Sequence, residues 1–271
     1  MTERSIAFIG GGNMASSLIA GLLARGWSPG ELAVSDPDPA TRERLGALGL
    51  RCVPGNAEAL EGARVVVLAV KPQQMRAACA DIRAAVQAHR PLVISIAAGI
   101  ETPTIAQWLG EDTSIVRCMP NTPAQLQCGA SVLYATPAVA AAERRLAHEI
   151  LESVGLAAWI EREELMHAVT ALSGSGPAYV FLVLEAMELA GETLGLEPGL
   201  ARRLAAQTVF GSARMALEEG ADVVDLRRRV TSPGGTTERA LRVLENNGLR
   251  RVFESAMSAA AERSRELAAE T

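Results

Sequence analysis

A chain of 271 residues is long enough for two domains and a well-buried core. With 49% hydrophobic residues, 21% charged residues and a formal charge of −5, it lacks the basic surface that nucleic acid requires, so no nucleic-acid partner is expected. Four cysteines (Cys52, Cys79, Cys118, Cys128) without CxxC spacing and three scattered histidines (His89, His148, His167) point to no metal and no disulfide framework, and fit a reducing cytoplasm.

The chain runs from MTER straight into an apolar run, without the pattern of a signal peptide. Short apolar runs then alternate with helical patterns: SIAFI (5–9), ELAV (31–34), GLRCV (49–53), RVVVLAV (64–70), PLVISIA (91–97) and SIVRCM (114–119). Such β-branched, nearly continuous runs predict a parallel sheet covered on both faces, and the alternation predicts an α/β doubly wound fold of Rossmann type. SVLYA (131–135), a helix over about 138–154 and LAAWIE (156–161) extend the sheet.

From Glu163 onward strand signals vanish. Helices are predicted at about 163–171, 176–194, 199–219, 222–229, 234–247 and 249–269, so the boundary falls near 162, dividing the chain into 1–162 and an all-helical 163–271. The apolar stretch 168–184 is interrupted by SGSGP and followed by Glu185 and Glu188, which reads as a buried helix rather than a membrane span. A helical domain this small and this apolar buries its surface poorly alone, which predicts dimerisation through it.

Three features carry chemistry. FIGGGNMASSLIAGLLARG sets Gly10, Gly12 and Ala15 at GxGxxA spacing between a strand and an amphipathic helix. Gly10 permits the tight turn, Gly12 lets backbone approach a pyrophosphate, and Ala15 lets the helix pack closely, a dinucleotide-binding arrangement. The second strand ends in VSDPDP, where Asp36 suits a ribose 2′-hydroxyl, whereas Ser35 with Arg42 or Arg44 suits a 2′-phosphate. AVKPQ holds the lone lysine, Lys71, at the end of the fourth strand where ligands of such folds sit, SIAAG ends the next strand in small residues that suit either a flat ring or close helix packing, and MPNTP sets Asn121 between prolines as a fixed polar contact or as turn chemistry.

VTSPGGTT (230–237) is odd, because two glycines open a helical pattern at a cost of roughly 1 kcal/mol each relative to alanine inside a helix. There is no GxSxG elbow and no HExxH. Hydride transfer needs little such machinery, because the cofactor does the difficult chemistry.

IAFIGGGNM, AVKPQ, SIAAG, RCMPNTPA, SGSGPAYVF and VTSPGGTT, in this order and across nearly the whole chain, resemble the pyrroline-5-carboxylate reductases. The resemblance implies NAD(P)H-dependent reduction of 1-pyrroline-5-carboxylate to L-proline, with NADP(H) preferred and NAD(H) possible. It implies a homodimer, in some members a ring of dimers, with no membrane partner. It implies that the substrate carboxylate is held by Ser232, Gly234, Gly235, Thr236 and Thr237, with Thr237 nearest the imine nitrogen. The cofactor contacts implied are Gly10, Gly12, Asn13, Met14, Ser35, Asp36, Asn56, Val70, Lys71, Ala97 and Asn121. Two other readings stand beside it. A β-hydroxyacid dehydrogenase shares the architecture, but its catalytic lysine in the helical domain has no counterpart when Lys71 is the only lysine. A dinucleotide-sensing protein without turnover would have no reason to keep the SPGGTT turn.

Overall fold

The computed structural model describes residues 5–218 and 220–270. The strands are β1 (Ile6–Ile9), β2 (Leu32–Ser35), β3 (Arg51–Val53), β4 (Val65–Leu68), β5 (Leu92–Ser95), β6 (Ile115–Met119), β7 (Gly129–Ala135) and β8 (Gly155–Trp159). They form one sheet in the order β3-β2-β1-β4-β5-β6-β7-β8. The first six run parallel, and the strand order reverses at β1/β4, as in doubly wound folds. β7 returns antiparallel to β6, and β8 lies parallel to β7. The β6–β7 connection holds only a short 3-10 turn (Thr122–Leu126), too little for the crossover helix that a parallel return needs.

Six helices accompany the sheet: α1 (Asn13–Ala24), α2 (Pro39–Gly46), α3 (Asn56–Ala59), α4 (Pro72–His89), α5 (Thr102–Leu109) and α6 (Ala141–Glu152). Alternate residues of each parallel strand feed two cores. Ile6 and Phe8 join Leu18, Leu22, Val67, Ile94 and Ile150 on one face. Ala7 and Ile9 join Val66, Leu68, Met75, Ile82, Val93 and Ile105 on the other. Both faces are therefore covered, which is why these strands read as unbroken apolar runs.

After β8 a 3-10 turn (Glu163–Leu165) leads into α7 (Met166–Val169), a π turn (Thr170–Gly174), α8 (Gly176–Thr193), α9 (Pro198–Ala216), α10 (Val223–Arg229), α11 (Thr236–Asn246) and α12 (Leu249–Ala269). The chain divides into two compact units, one made of the residues up to Ser175 with those from Ala260 onward, the other of Gly176–Ala259.

In the second unit α8 packs on α9, and the small residues Gly191 and Ala201 let the two approach closely. The expectation of a buried helix at 168–184 needs correction, because α8 contains no buried residue and Val180, Phe181, Leu182 and Leu189 are exposed. Composition identifies an apolar helix but not which chain covers it. By length and composition alone Glu163–Thr193 could cross a membrane, at mean hydropathy 1.3, and 11% of its apolar window is buried within the chain.

Candidate active site

In the first unit the predicted cofactor residues lie along the ends of β1 to β6 and the helix starts or turns that follow. Gly10 sits at φ +97, and a Cβ there would lie 2.8 Å from the Ala69 carbonyl oxygen and 3.1 Å from a Val70 methyl, so only glycine fits. Gly12 caps α1 without a side-chain hydrogen bond, and nothing lies within 4 Å of where its Cβ would be. Packing therefore does not demand glycine at position 12. The open space above a bare helix N-terminus, with Asn13 and Met14 in the first turn, is the cradle a pyrophosphate fits. Gly11, which the GxGxxA pattern leaves unspecified, is also confined, since a Cβ there would lie 2.7 Å from Thr41 and 2.8 Å from Leu45.

At the end of β2 the buried Ser35 hydroxyl donates to Asn56 Oδ1 at 2.7 Å, and Asn56 Nδ2 donates to Asp81 Oδ2 at 3.1 Å. Asp36 is engaged at both oxygens: Oδ2 accepts from Gly11 N–H (2.8 Å) and Oδ1 from Asp38 N–H (2.9 Å). Arg42 donates to the Asp36 and Pro37 carbonyls, and Arg44 to the Gly11 carbonyl and Ser16 Oγ. Two guanidiniums thus flank a turn whose carboxylates, Asp36 and the α2 cap Asp38, are both bound to backbone amides.

Val70 touches the Gly10 turn, Lys71 is the exposed N-cap of α4, and Ala97 is buried just beyond β5. Asn121 spans the residues on either side of it, its Nδ2 donating to the Ser173 carbonyl at 3.0 Å and its Oδ1 accepting from Ala130 N–H at 2.8 Å. It ties the MPNTP turn to the SGSGP segment. A Cβ at Gly174 beside it would meet the Met119 methyl, which would have to move aside.

In the second unit the SPGGTT glycines precede the helix instead of opening it: α11 starts at Thr236, Gly235 is its N-cap without a side-chain bond, and Gly234 takes φ +73. Gly234 N–H donates to Glu238 Oε2 at 2.9 Å, and Gly235 N–H to the Ser232 carbonyl at 3.0 Å. Arg242 lies 3.7 Å from the same Glu238 oxygen. Ser232 and Thr236 are exposed and Thr237 half-buried. The turn presents hydroxyls and a helix N-terminus, with a side-chain carboxylate already resting on one amide.

A group that sequence reasoning missed lies in the first unit: Arg117 with Glu163, and His167 with Glu101 and Ser264. An arginine in the middle of the apolar run SIVRCM was the available signal. Burial, seconded by the nearby Arg117 charge, holds the His167 pKa below its usual value, against Glu101; Arg265 adds to the lowering. The folded protein thus binds this proton less readily than the unfolded chain. The resulting stability is complete above the unfolded value of about 6.5 and is lost as the pH falls through it. Melting temperature is expected to drop between about pH 7 and pH 5, and His167→Asn to flatten that limb; an unchanged limb would exclude His167 as its source. Burial also pushes the Cys79 thiol up to about 12 and raises Cys118, so neither is a reactive thiolate.

A doubly wound sheet with a glycine-lined phosphate turn, followed by a helical region, defines an oxidoreductase of Rossmann type. Residues 5–99 match the family model described as NADP oxidoreductase, coenzyme F420-dependent, and residues 163–267 match the one described as pyrroline-5-carboxylate reductase dimerisation. A pyrroline-5-carboxylate reductase of Pseudomonas aeruginosa is 49% identical over 269 residues, 99% of this chain and 98% of that protein. Among solved structures, a pyrroline-5-carboxylate reductase from Coxiella burnetii superposes with a TM-score of 0.94 at 44% identity, covering 97% of this chain and 98% of that one. The Plasmodium falciparum pyrroline carboxylate reductase, with NADP bound, superposes at 0.86 with 29% identity over 99% of both chains. The chain belongs to the pyrroline-5-carboxylate reductase family.

Proposed function

We propose that this protein reduces 1-pyrroline-5-carboxylate to L-proline with NADPH, accepting NADH less well. The observation that carries the reading is full-length similarity to reductases of this name, extending through both the phosphate turn and the SPGGTT turn. Residues 1–162 are the dinucleotide-binding part in this reading, and residues 163–271 the substrate-binding and dimerising part.

The bound nicotinamide supplies the hydride that adds to the imine carbon. Gly10, Gly12, Asn13 and Met14 leave room and amides for the pyrophosphate, Ser35 and Asn56 meet the adenosine end, and Val70, Lys71, Ala97 and Asn121 line the nicotinamide half. The preference for NADPH is supported by Asp36 being held on two backbone amides while Arg42 and Arg44 flank the turn.

The substrate carboxylate rests at the start of α11, on Ser232, Gly234, Gly235, Thr236 and Thr237. To reach the Gly234 amide it replaces the Glu238 carboxylate, which has Arg242 as its other neighbour. Thr237 is the group at the imine nitrogen. Its hydroxyl is too weak an acid to act alone, so it positions the nitrogen or relays a proton from water. Thr237→Ala is expected to lower kcat by about 10²-fold with the NADPH dissociation constant unchanged, and an unaltered kcat would remove Thr237 from the reaction.

The exposed apolar residues of α8 and α9, such as Phe181, Leu182 and Phe210, support a homodimer, on which larger rings can be built. Four free cysteines suit a reducing, cytoplasmic setting. The deciding experiment is the loss of reduced-nicotinamide absorbance on adding pyrroline-5-carboxylate, with NADPH and NADH in parallel and proline quantified. Oxidation without proline, or none with either cofactor, would overturn the reading. A ratio favouring NADH would overturn the assignment of the arginines.

A further inference from the structure

Arg117 stands in β6 with 4% of its side chain exposed, and its Nη1 donates to Glu163 Oε1 at 2.8 Å. Glu163, 13% exposed, also accepts from the backbone N–H of Thr102 at 2.8 Å and from the Thr102 hydroxyl at 2.5 Å. The carboxylate therefore has three donors around it, and the guanidinium neutralises it. A buried ion pair is a poor stabiliser, because the cost of desolvating both charges is comparable to their attraction, and apolar residues of similar volume hold a fold as well. Its presence calls for a geometric reason.

Thr102 supplies that reason. It is the first residue of α5, and the segment Ile96–Glu101 connects it directly to the end of β5. Ala97 lies on this segment. One end is fixed by the ladder between β5 and β6, and the other by Glu163. The flank is closed by the tail of α12: His167 Nδ1 lies 3.0 Å from Ser264 Oγ, its other ring nitrogen lies 3.6 Å from Glu101, and a Cβ at Gly99 would lie 3.5 Å from Leu267. Ser264 is 5% exposed, so this serine, histidine and glutamate row seals the segment instead of offering a nucleophile.

We propose that Glu163, neutralised by Arg117, is a positioning residue for hydride transfer: it fixes the start of α5 and thereby the segment that sets the nicotinamide ring. The proposal rests on the reading above, in which Ala97 lines the nicotinamide half. Hydride transfer is steep in donor–acceptor distance, so a small displacement of that segment is felt in the chemical step and not in substrate binding.

Glu163→Gln keeps the size of the side chain but removes the negative charge opposite Arg117, and its amide nitrogen meets the Thr102 hydroxyl as a donor, reversing the direction of that bond. It is expected to lower kcat about 10-fold, raise the primary isotope effect with 4-deuterated NADPH, and leave the KM for pyrroline-5-carboxylate within about 2-fold. Thr102→Val removes only the hydroxyl donor and should act in the same direction, whereas Thr102→Ser should restore wild-type values. A second readout needs no turnover: the fluorescence of NADPH bound without substrate should shift in Glu163→Gln and Thr102→Val but not in Thr102→Ser. Folded variants with wild-type kcat, isotope effect and bound-NADPH fluorescence would overturn the proposal. So would equal rises in both KM values at an unchanged isotope effect. Should Glu163→Gln fail to fold, Thr102→Val decides alone, since it leaves the Arg117–Glu163 pair in place. A wild-type protein that binds NADPH without oxidising it would overturn the reductase reading, and the fluorescence comparison would still judge Glu163.

Discussion

Replacing Gly235 by valine is expected to raise the KM for pyrroline-5-carboxylate about 100-fold, equivalent to about 2.7 kcal/mol, while the KM for NADPH stays within about 2-fold. Gly235 is the N-cap of α11 at φ −80, an angle any residue adopts, so the valine backbone itself is unstrained. The conflict is spatial. A Cβ at this position would lie 3.0 Å from the Ser232 carbonyl oxygen, and the added methyls would crowd the mouth of the turn the carboxylate is proposed to enter. Steady-state titration of each substrate against saturating amounts of the other measures the effect. Equal weakening of both would mean that the turn is not the carboxylate site.

Arg117→Met is expected to cost about 3–5 kcal/mol of stability, because it leaves the Glu163 carboxylate buried without its counter-charge. For a chain of this size that corresponds to a fall in melting temperature of roughly 10 °C, measured at fixed protein concentration because an oligomer's stability depends on it. The double substitution Arg117→Met with Glu163→Gln should recover much of the loss, since no unpaired charge remains. A single variant as stable as wild type would mean that water reaches Glu163 and that the pair is solvated in solution.

The elements differ in how much of them was legible in the sequence. The parallel strands were, because burial on both faces leaves unbroken β-branched runs such as VVVLAV. The glycine turn after β1 was, because Gly10 is a backbone necessity and glycine advertises it. The direction of β7 and β8 was not, since apolar periodicity carries no sense of direction. Gly234 and Gly235 were legible as anomalies, but their place before the helix, and the Glu238 carboxylate on the first of them, needed coordinates. Arg117 was legible only as an anomaly, a charge inside an apolar run, and Glu163 was not, because its partner lies 46 positions away. The face of α8 was misjudged because composition records apolarity without recording what covers it.

The helices α2, α9 and α10 are closed at their starts by acidic side chains, Asp38, Glu197 and Asp222. Several other helices, α1 and α11 among them, start without a side-chain hydrogen bond at the cap, these two on Gly12 and Gly235. A glycine cap forgoes only a few tenths of a kcal/mol relative to a capping side chain. If pyrophosphate and substrate carboxylate complete these two ends, part of the protein's cohesion resides in its ligands, and its resistance to unfolding rises and falls with their supply. Its persistence in a cell would then follow the metabolic demand it serves: starved of reduced dinucleotide and imine, the same polypeptide would be the easier prey for proteolysis.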